Sequence, residues 1–230
     1  MDLKQLADYL HRDLREVSKL ANRGHLPGKK VGGEWRFASY EINHWIETQM
    51  HAFSEEELER LEQGRTATCV ASEGLVSSMV SEATIALPLL ASTKASVLKE
   101  LANLAAQSWH VYDPDVLHAA IKQREELGTT ALNGGVAIPH PQRPVSDKAQ
   151  GESIIAFART SRGIPFGAPD GGLTDLFFLV SCRDARTHLR VLARLSRLML
   201  RPGFLDELRD AETVQDVLQQ IENAERELAE

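Results

Sequence analysis

His140 sits between Pro139 and Pro141, just past the short apolar run Gly135–Ile138. Each proline fixes its own φ and restricts the residue before it, so the backbone on both sides of the imidazole is extended and stiff. A neutral imidazole has one lone pair and one N–H donor, and a backbone that fixes the ring can aim that lone pair at an electrophile. The alternative is an ordinary solvated loop histidine. A second set of residues is cationic. Arg15, Lys19, Asn22 and Arg23 recur at helical spacing, and Lys29, Lys30 and Arg36 flank Gly32-Gly33, a hairpin signal. On one helix and an adjoining hairpin, such side chains can reach the phosphates and base edges of a DNA groove. Asp13 and Glu16 lower the positive potential of that helix, and a plain solvated face is the competing reading. Cys69 and Cys182 have no CxxC spacing and are expected to be free thiols in a reducing compartment.

The elements that must position these residues follow from periodicity. Leu3, Leu6, Ala7 and Leu10 predict a helix over 3–10. Leu14, Val17, Leu20 and Ala21 predict a second over 13–23, with Asp13 and Glu16 as a capping pair and Gly24 as its stop. Ser39 is expected to cap a third helix carrying Ile42, Trp45 and Ile46. Residues 51–80 read as a linker with one exposed helix, opened by the Ser54/Glu57 capping box. Strand and helix then alternate. Strands are expected over Ile85–Leu90, Gly135–Ile138, Ser153–Arg159 and Asp175–Cys182, the last almost wholly apolar and so central in its sheet. Helices are expected over Lys94–Ala106, from Asp113-Pro114 to about Leu127, and over Thr187–Leu200, Pro202–Leu208 and Thr213–Ile221. The fold class is α/β (α+β): a small winged helix-turn-helix head over 1–50, the linker over 51–80, and a mixed-sheet body covered by helices over 81–230.

The chain has 230 residues and a formal net charge of -7, which excludes a general nucleic-acid binder. The charge is uneven: residues 1–50 carry 8 Lys+Arg against 7 Asp+Glu, and the rest carries 18 against 26. A near-neutral head on an acidic body can still bind DNA if its cations share a face. No secretory signal opens the chain, and no apolar run approaches the roughly 20 residues a membrane span needs. A cytoplasmic protein without membrane insertion is expected.

In the head, LKQLADYL, REVSKLANRGHLPGKKVGGEWRF and SYEINHWI resemble the winged-helix domains of the excisionase and MerR-like type. The resemblance implies a recognition helix at 13–23 and a wing at about 29–37. In the body, Arg124-Glu125-Glu126-Leu127-Gly128-Thr129-Thr130 and Gly134-Gly135-Val136-Ala137-Ile138-Pro139-His140 resemble the active-site region of phosphotransferase-system enzyme IIA domains of the fructose/mannitol type, nearest the nitrogen-regulatory branch. Gly163-Ile164-Pro165-Phe166 and His188-Leu189 extend the likeness over about residues 82–222. It implies that His140 is the phosphorylated histidine, His188 the second active-site histidine and Arg124 the active-site arginine. The donor would be an HPr-like phosphohistidine carrier. An Arg124 paired with a neighbouring Glu, and a His188 that is only a helix N-terminal residue, are the competing readings. Pro141 departs from the small or flexible residue usual after the histidine, and it removes one backbone N–H from any phosphate cradle. No cofactor is implied. A zinc site on His140 and His188 lacks an evident third and fourth ligand.

The expectation is therefore a regulator that accepts phosphate on His140 and binds DNA through Arg15, Lys19, Arg23, Lys29, Lys30 and Arg36. The first alternative is a sugar-specific phosphoryl carrier serving a permease component. The second is a phosphorylation-gated module that binds a regulated protein partner and no DNA.

Overall fold

The computed structural model describes residues 1–10, 12–63 and 75–228. In the head, α1 (Leu3–Leu10) and α2 (Leu14–Asn22) pack against each other through Leu6, Ala7, Leu10, Val17 and Ala21, all buried. Asp13 caps α2 by accepting from the Arg15 amide. The hairpin of β1 (Lys29–Val31) and β2 (Glu34–Arg36) turns at Gly32 and Gly33, with φ of 60° and 84°. A tight two-residue hairpin needs that left-handed pair, which only glycine adopts freely. Helix α3 (Ser39–Gln49) follows, with Ile42 and Ile46 buried. Its cap position is Ala38 and has no side-chain bond, so Ser39 is the first helical residue and not the cap expected from the sequence.

A turn of 3₁₀ helix (Met50–Ala52) leads to α4 (Glu55–Gln63). The Ser54/Glu57 capping box forms in both directions. The helix itself is not the exposed linker helix expected. Leu58 and Glu62 are buried, and α4 lies along α7 (Ala185–Leu200). Glu62 explains why: it accepts from Arg194 and, at 2.9 Å, from Arg197, and Arg194 also donates to Glu225 at 3.1 Å. Residues 75–80 are no free linker either, with Leu75, Val76 and Val80 buried around a turn of 3₁₀ helix (Ser77–Met79), while residues 64–74, including Cys69, lie outside the described residues.

The body is a four-stranded sheet in the order β3 (Ile85–Ala86), β5 (Ile154–Ile164), β6 (Thr174–Ser181), β4 (Val136–Ala137). β5 and β6 are antiparallel, and the two short edge strands run parallel to their neighbours. β6 is inner, as its apolar run implied. β3 stops at Ala86, short of the expected Leu90, and Pro88 has no N–H to continue the ladder. Side chains alternate across a strand, and here the alternation divides the core in two. Ile155, Phe157, Leu176, Phe178 and Val180 face α7, α8 (Phe204–Asp210) and α9 (Val214–Glu227). Ile154, Ala156, Ala158, Phe177 and Leu179 face α5 (Lys94–Ala106) and α6 (Pro114–Glu126). Helices thus cover both faces of a mixed sheet. α9 runs to Glu227, beyond the expected Ile221, because Ala224 and Glu225 are buried within it and Glu225 accepts from the amides of Val76 and Ser77.

The apolar cluster on the α7 face is continuous with the head core, running from Leu6 and Ile46 through Leu58 to Leu192 and Ile221. Glu62 is the charged centre of that join. Glu62→Ala should lower unfolding stability by about 3–5 kcal/mol, because it takes the carboxylate from the buried Arg197 guanidinium and leaves Arg194 with Glu225 alone. Urea denaturation measures this, and Glu56→Ala on the exposed side of α4 should change stability by under about 0.5 kcal/mol.

Candidate active site

β4 and the loop after it hold His140. Gly134 and Gly135, with φ of 84° and 79°, make the turn into the strand. Arg209 braces that turn by donating to Gly134 O and to Asp175. Beyond the strand, Val180 N donates to Pro139 O at 3.0 Å and keeps the chain on the sheet. The His140 ring is then fixed by its Nδ1, 2.8 Å from Ile138 O. A carbonyl only accepts, so Nδ1 carries the proton and Nε2 is the nitrogen turned into the site.

α7 supplies His188 in its first turn, after Asp184 caps the helix by accepting from the amides of Arg186 and Thr187. The two histidine rings lie 4.9 Å apart between centroids. α6 supplies Arg124 near its C-terminal end. Its Nη1 donates to Gly128 O at 3.1 Å. The neighbouring Glu125 does not pair with it. Instead Glu125 holds Lys94 at 2.7 Å and accepts from Thr130 N and Oγ1, which ties the 128–131 loop to α6. That loop in turn holds β4, since Ile138 N donates to Thr130 O. The helix, loop and strand that carry Arg124 and His140 are therefore one braced unit.

His140, His188 and Arg124 do converge, and what they converge on is a fourth residue, which no motif or spacing singles out. Glu47, from α3 of the head, places Oε2 3.2 Å from His140 Nε2 and 3.4 Å from Arg124 Nε, and Oε1 3.2 Å from His188 Nε2. His44 Nδ1 stands 3.7 Å from the same Oε2. The Glu47 side chain is only 3% exposed. Burial by itself would raise its carboxyl, but the hydrogen bonds from His140 and His188 outweigh it and hold the group well below the ordinary carboxylate range. For His188 the balance is reversed: burial pushes it down, and the bond to Glu47 offsets this only in part. A neutral His188 donating from Nε2 fits both directions.

The head closes over the site in other ways. Arg143, three residues past His140, stacks over the Tyr40 ring of α3 at 4.6 Å. Tyr9 donates to Asn43 Oδ1 at 2.6 Å, fixing the polar edge of α3 that carries Asn43 and Glu47 one turn apart. Cys182, at the foot of the site, is a free thiol, and burial pushes it up to about 12, which makes it a poor nucleophile. Glu47 also supplies the third metal-ligating group missing from the sequence reading, since its oxygen and the two histidine nitrogens lie within 4.8 Å of one another. The guanidinium on Oε2 would set a fixed positive charge against any ion there.

The DNA-facing candidates are placed elsewhere. Arg15, Lys19 and Arg23 are exposed along α2 and its C-cap, and Lys29, Lys30 and Arg36 are exposed on the hairpin. Trp35 joins the two pieces by donating to Asn22 Oδ1 at 3.3 Å, and Lys30 lies 5.2 Å over its ring. Arg36 is paired with Glu34 at 2.8 Å, while Arg12 engages Glu16 at 2.8 Å and Glu57 at 2.6 Å.

A carboxyl with a depressed pKa stabilises the fold above its ordinary range and loses that contribution as pH falls through the folded value. The stability gap between wild type and Glu47→Gln should therefore be full at about pH 6 and narrow as pH drops below the ordinary 4.5. Charge-assisted hydrogen bonds of this kind suggest a gap of about 1.5–3 kcal/mol. Urea unfolding at a series of pH values reads it.

Residues 78–224 match the family model described as phosphoenolpyruvate-dependent sugar phosphotransferase system, EIIA 2, and residues 1–50 match a helix-turn-helix domain model. A nitrogen regulatory protein of Bradyrhizobium diazoefficiens is 36% identical over 148 residues, covering 62% of this chain and 94% of that protein. A fructose-specific EIIA component of Haloferax volcanii is 34% identical over 135 residues, covering 56% and 85%. Among solved structures, the nitrogen regulatory protein IIA-Ntr of Neisseria meningitidis superposes with a TM-score of 0.58 at 24% identity, covering 64% of this chain and 99% of that one. The sheet and helices described above are thus those of a known fold, and the chain belongs to the EIIA type 2 family of the phosphotransferase system, with a helix-turn-helix domain at its N-terminus.

Proposed function

We propose that this protein is a cytoplasmic phosphotransferase-system regulator that accepts a phosphoryl group on His140 Nε2 from an HPr-like phosphohistidine carrier and binds DNA through its head. The observation that carries the first half is the convergence of His140 Nε2, His188 Nε2 and Arg124 on a single oxyanion, the Glu47 carboxylate. Phosphoryl transfer needs little from a protein beyond an aimed nucleophile and donors for the equatorial oxygens. His140 is aimed by Ile138 O, His188 offers one N–H without a permanent charge, and Arg124 offers a fork of donors. The residue roles rest on this geometry and on the family resemblance of their motifs. On this reading the head is residues 1–50, the connection 51–80 and the phosphoryl-accepting body 81–230.

A helix-turn-helix domain beside an EIIA domain favours regulation over sugar transport, although the relatives include proteins named for both. Six exposed cations on one helix and the hairpin locked to it by Trp35 favour DNA as the partner of the head.

With a phosphoenolpyruvate-driven carrier system, wild type should gain acid-labile phosphate and His140→Ala should gain none. His188→Ala should still label but roughly 100-fold more slowly, the usual cost of one transition-state donor. Equal labelling of His140→Ala would remove His140 from the role.

For the head, binding of the full chain to genomic DNA fragments should weaken steeply with salt, since each neutralised phosphate releases counterions. Lys30→Ala should flatten the salt slope by roughly one unit on every sequence. Arg36→Ala should do less, because Glu34 already pairs it. Fluorescence anisotropy measures both, and no binding at low salt would favour a protein partner for the head.

A further inference from the structure

We propose that Glu47 is a built-in plug of the phosphoryl site, so that a docked head and a phosphorylated His140 exclude each other. The proposal rests on His140 Nε2 being the acceptor. Three observations lead to it. The first is space. Glu47 Oε2 is 3.2 Å from His140 Nε2, and a phosphorus bonded to that nitrogen, with its three oxygens, would need the volume the carboxylate fills. The second is charge. Glu47 satisfies the same His188 and Arg124 donors that a phosphoryl group would use, and two anions cannot share them in a buried site. The third is the proton. Nδ1 is committed to Ile138 O, so a hydrogen bond between Nε2 and an ionised carboxylate requires a proton between them. While that proton is there, Nε2 has no free lone pair.

Access is closed as well. His140 is 4% exposed and His188 8%, with α3 above them and Tyr40 stacked on Arg143. A carrier protein cannot reach Nε2 in this arrangement. The cations of α2 and the hairpin remain exposed while Glu47 is seated. Phosphorylation therefore does not uncover them. It changes whether the head is fixed to the body.

The covalent step, written for phosphoramidate as a small donor, balances simply. The Nε2–P bond forms as the P–N bond of phosphoramidate breaks. The proton held between Nε2 and Glu47 goes to the leaving nitrogen, which departs as ammonia, and the other ring proton stays on Nδ1, still donated to Ile138 O. Glu47 then faces a phosphoryl group of charge near -2 and has to withdraw.

The test compares initial rates of acid-labile phosphate formation with phosphoramidate for full-length wild type, Glu47→Gln, Glu47→Ala and His140→Ala. Phosphoramidate needs no protein docking surface, so the rate reports the plug itself. Glu47→Ala should label at least about tenfold faster than wild type. Glu47→Gln should fall between, because the amide keeps the volume and loses the charge. If Glu47→Ala misfolds, a faster rate in Glu47→Gln alone sustains the proposal. Wild-type or slower rates in both Glu47 variants, with His140→Ala unlabelled, overturn the plug and leave His140 as the acceptor. Equal label in His140→Ala, or none in any variant, overturns the acceptor reading and the plug with it.

Discussion

The arrangement depends on one buried carboxylate shared by three basic side chains. Glu47 comes from the head, while His140, His188 and Arg124 come from three separate elements of the body. A carboxylate removed from water pays several kcal/mol in desolvation, and a charge pair at 4 Å returns about 4 kcal/mol at an effective dielectric near 20. One partner would about break even. Arg124 and two histidine hydrogen bonds tip the balance toward an ionised Glu47, which is why burial does not raise its carboxyl. The same balance makes the contact conditional: an anion of higher charge on His140 reverses its sign.

The rest of the fold serves to hold these groups in register. Alternation along β5 and β6 gives the sheet two apolar faces, and helices on each face present Arg124 from one side and His188 from the other. Glu125, Lys94 and Thr130 brace the loop between α6 and β4, and Arg209 braces the turn into β4. On the head side, α4 is the fixed part of the join. Its Glu62 is locked between Arg194 and Arg197, whereas α3 meets the body through a polar edge, Asn43 and Glu47, and through the Tyr40–Arg143 stack. The buried ion pairs of Glu62 and the apolar burial of Leu58 on α4 are distant from the phosphoryl site and stay, while the Glu47 contact on α3 is the part that charge on His140 can release.

How much of this was legible in the sequence follows from the range of each interaction. Period gave α1 and α5, and the Asp113-Pro114 start gave the opening of α6, because Asp113 acts on an amide only three residues away. The prolines around His140 and the helix start before His188 are equally local. β3 and α9 were misjudged at their ends, where Pro88 cuts the ladder and where Ala224 and Glu225 are buried by residues far along the chain. α4 reads as a solvated helix because seven of its nine residues are polar, and only Arg194 and Arg197 reveal why Glu62 is inside. Glu47 lay beyond reach: it stands 93 residues from His140, on a short helix where a glutamate is ordinary. The one hint is that Asn43 and Glu47 form a polar i,i+4 pair beside the Ile42–Ile46 stripe, which widens the buried face of α3.

The most direct measurement is hydrogen exchange of the α3 amides, residues 39–49, in full-length wild type before and after stoichiometric phosphorylation of His140. Release of Glu47 predicts that exchange in 39–49 accelerates on phosphorylation while α4 and α7 keep their protection. Unchanged protection of α3 in a fully phosphorylated protein would contradict the account, because it would mean that carboxylate and phosphoryl group occupy the site together.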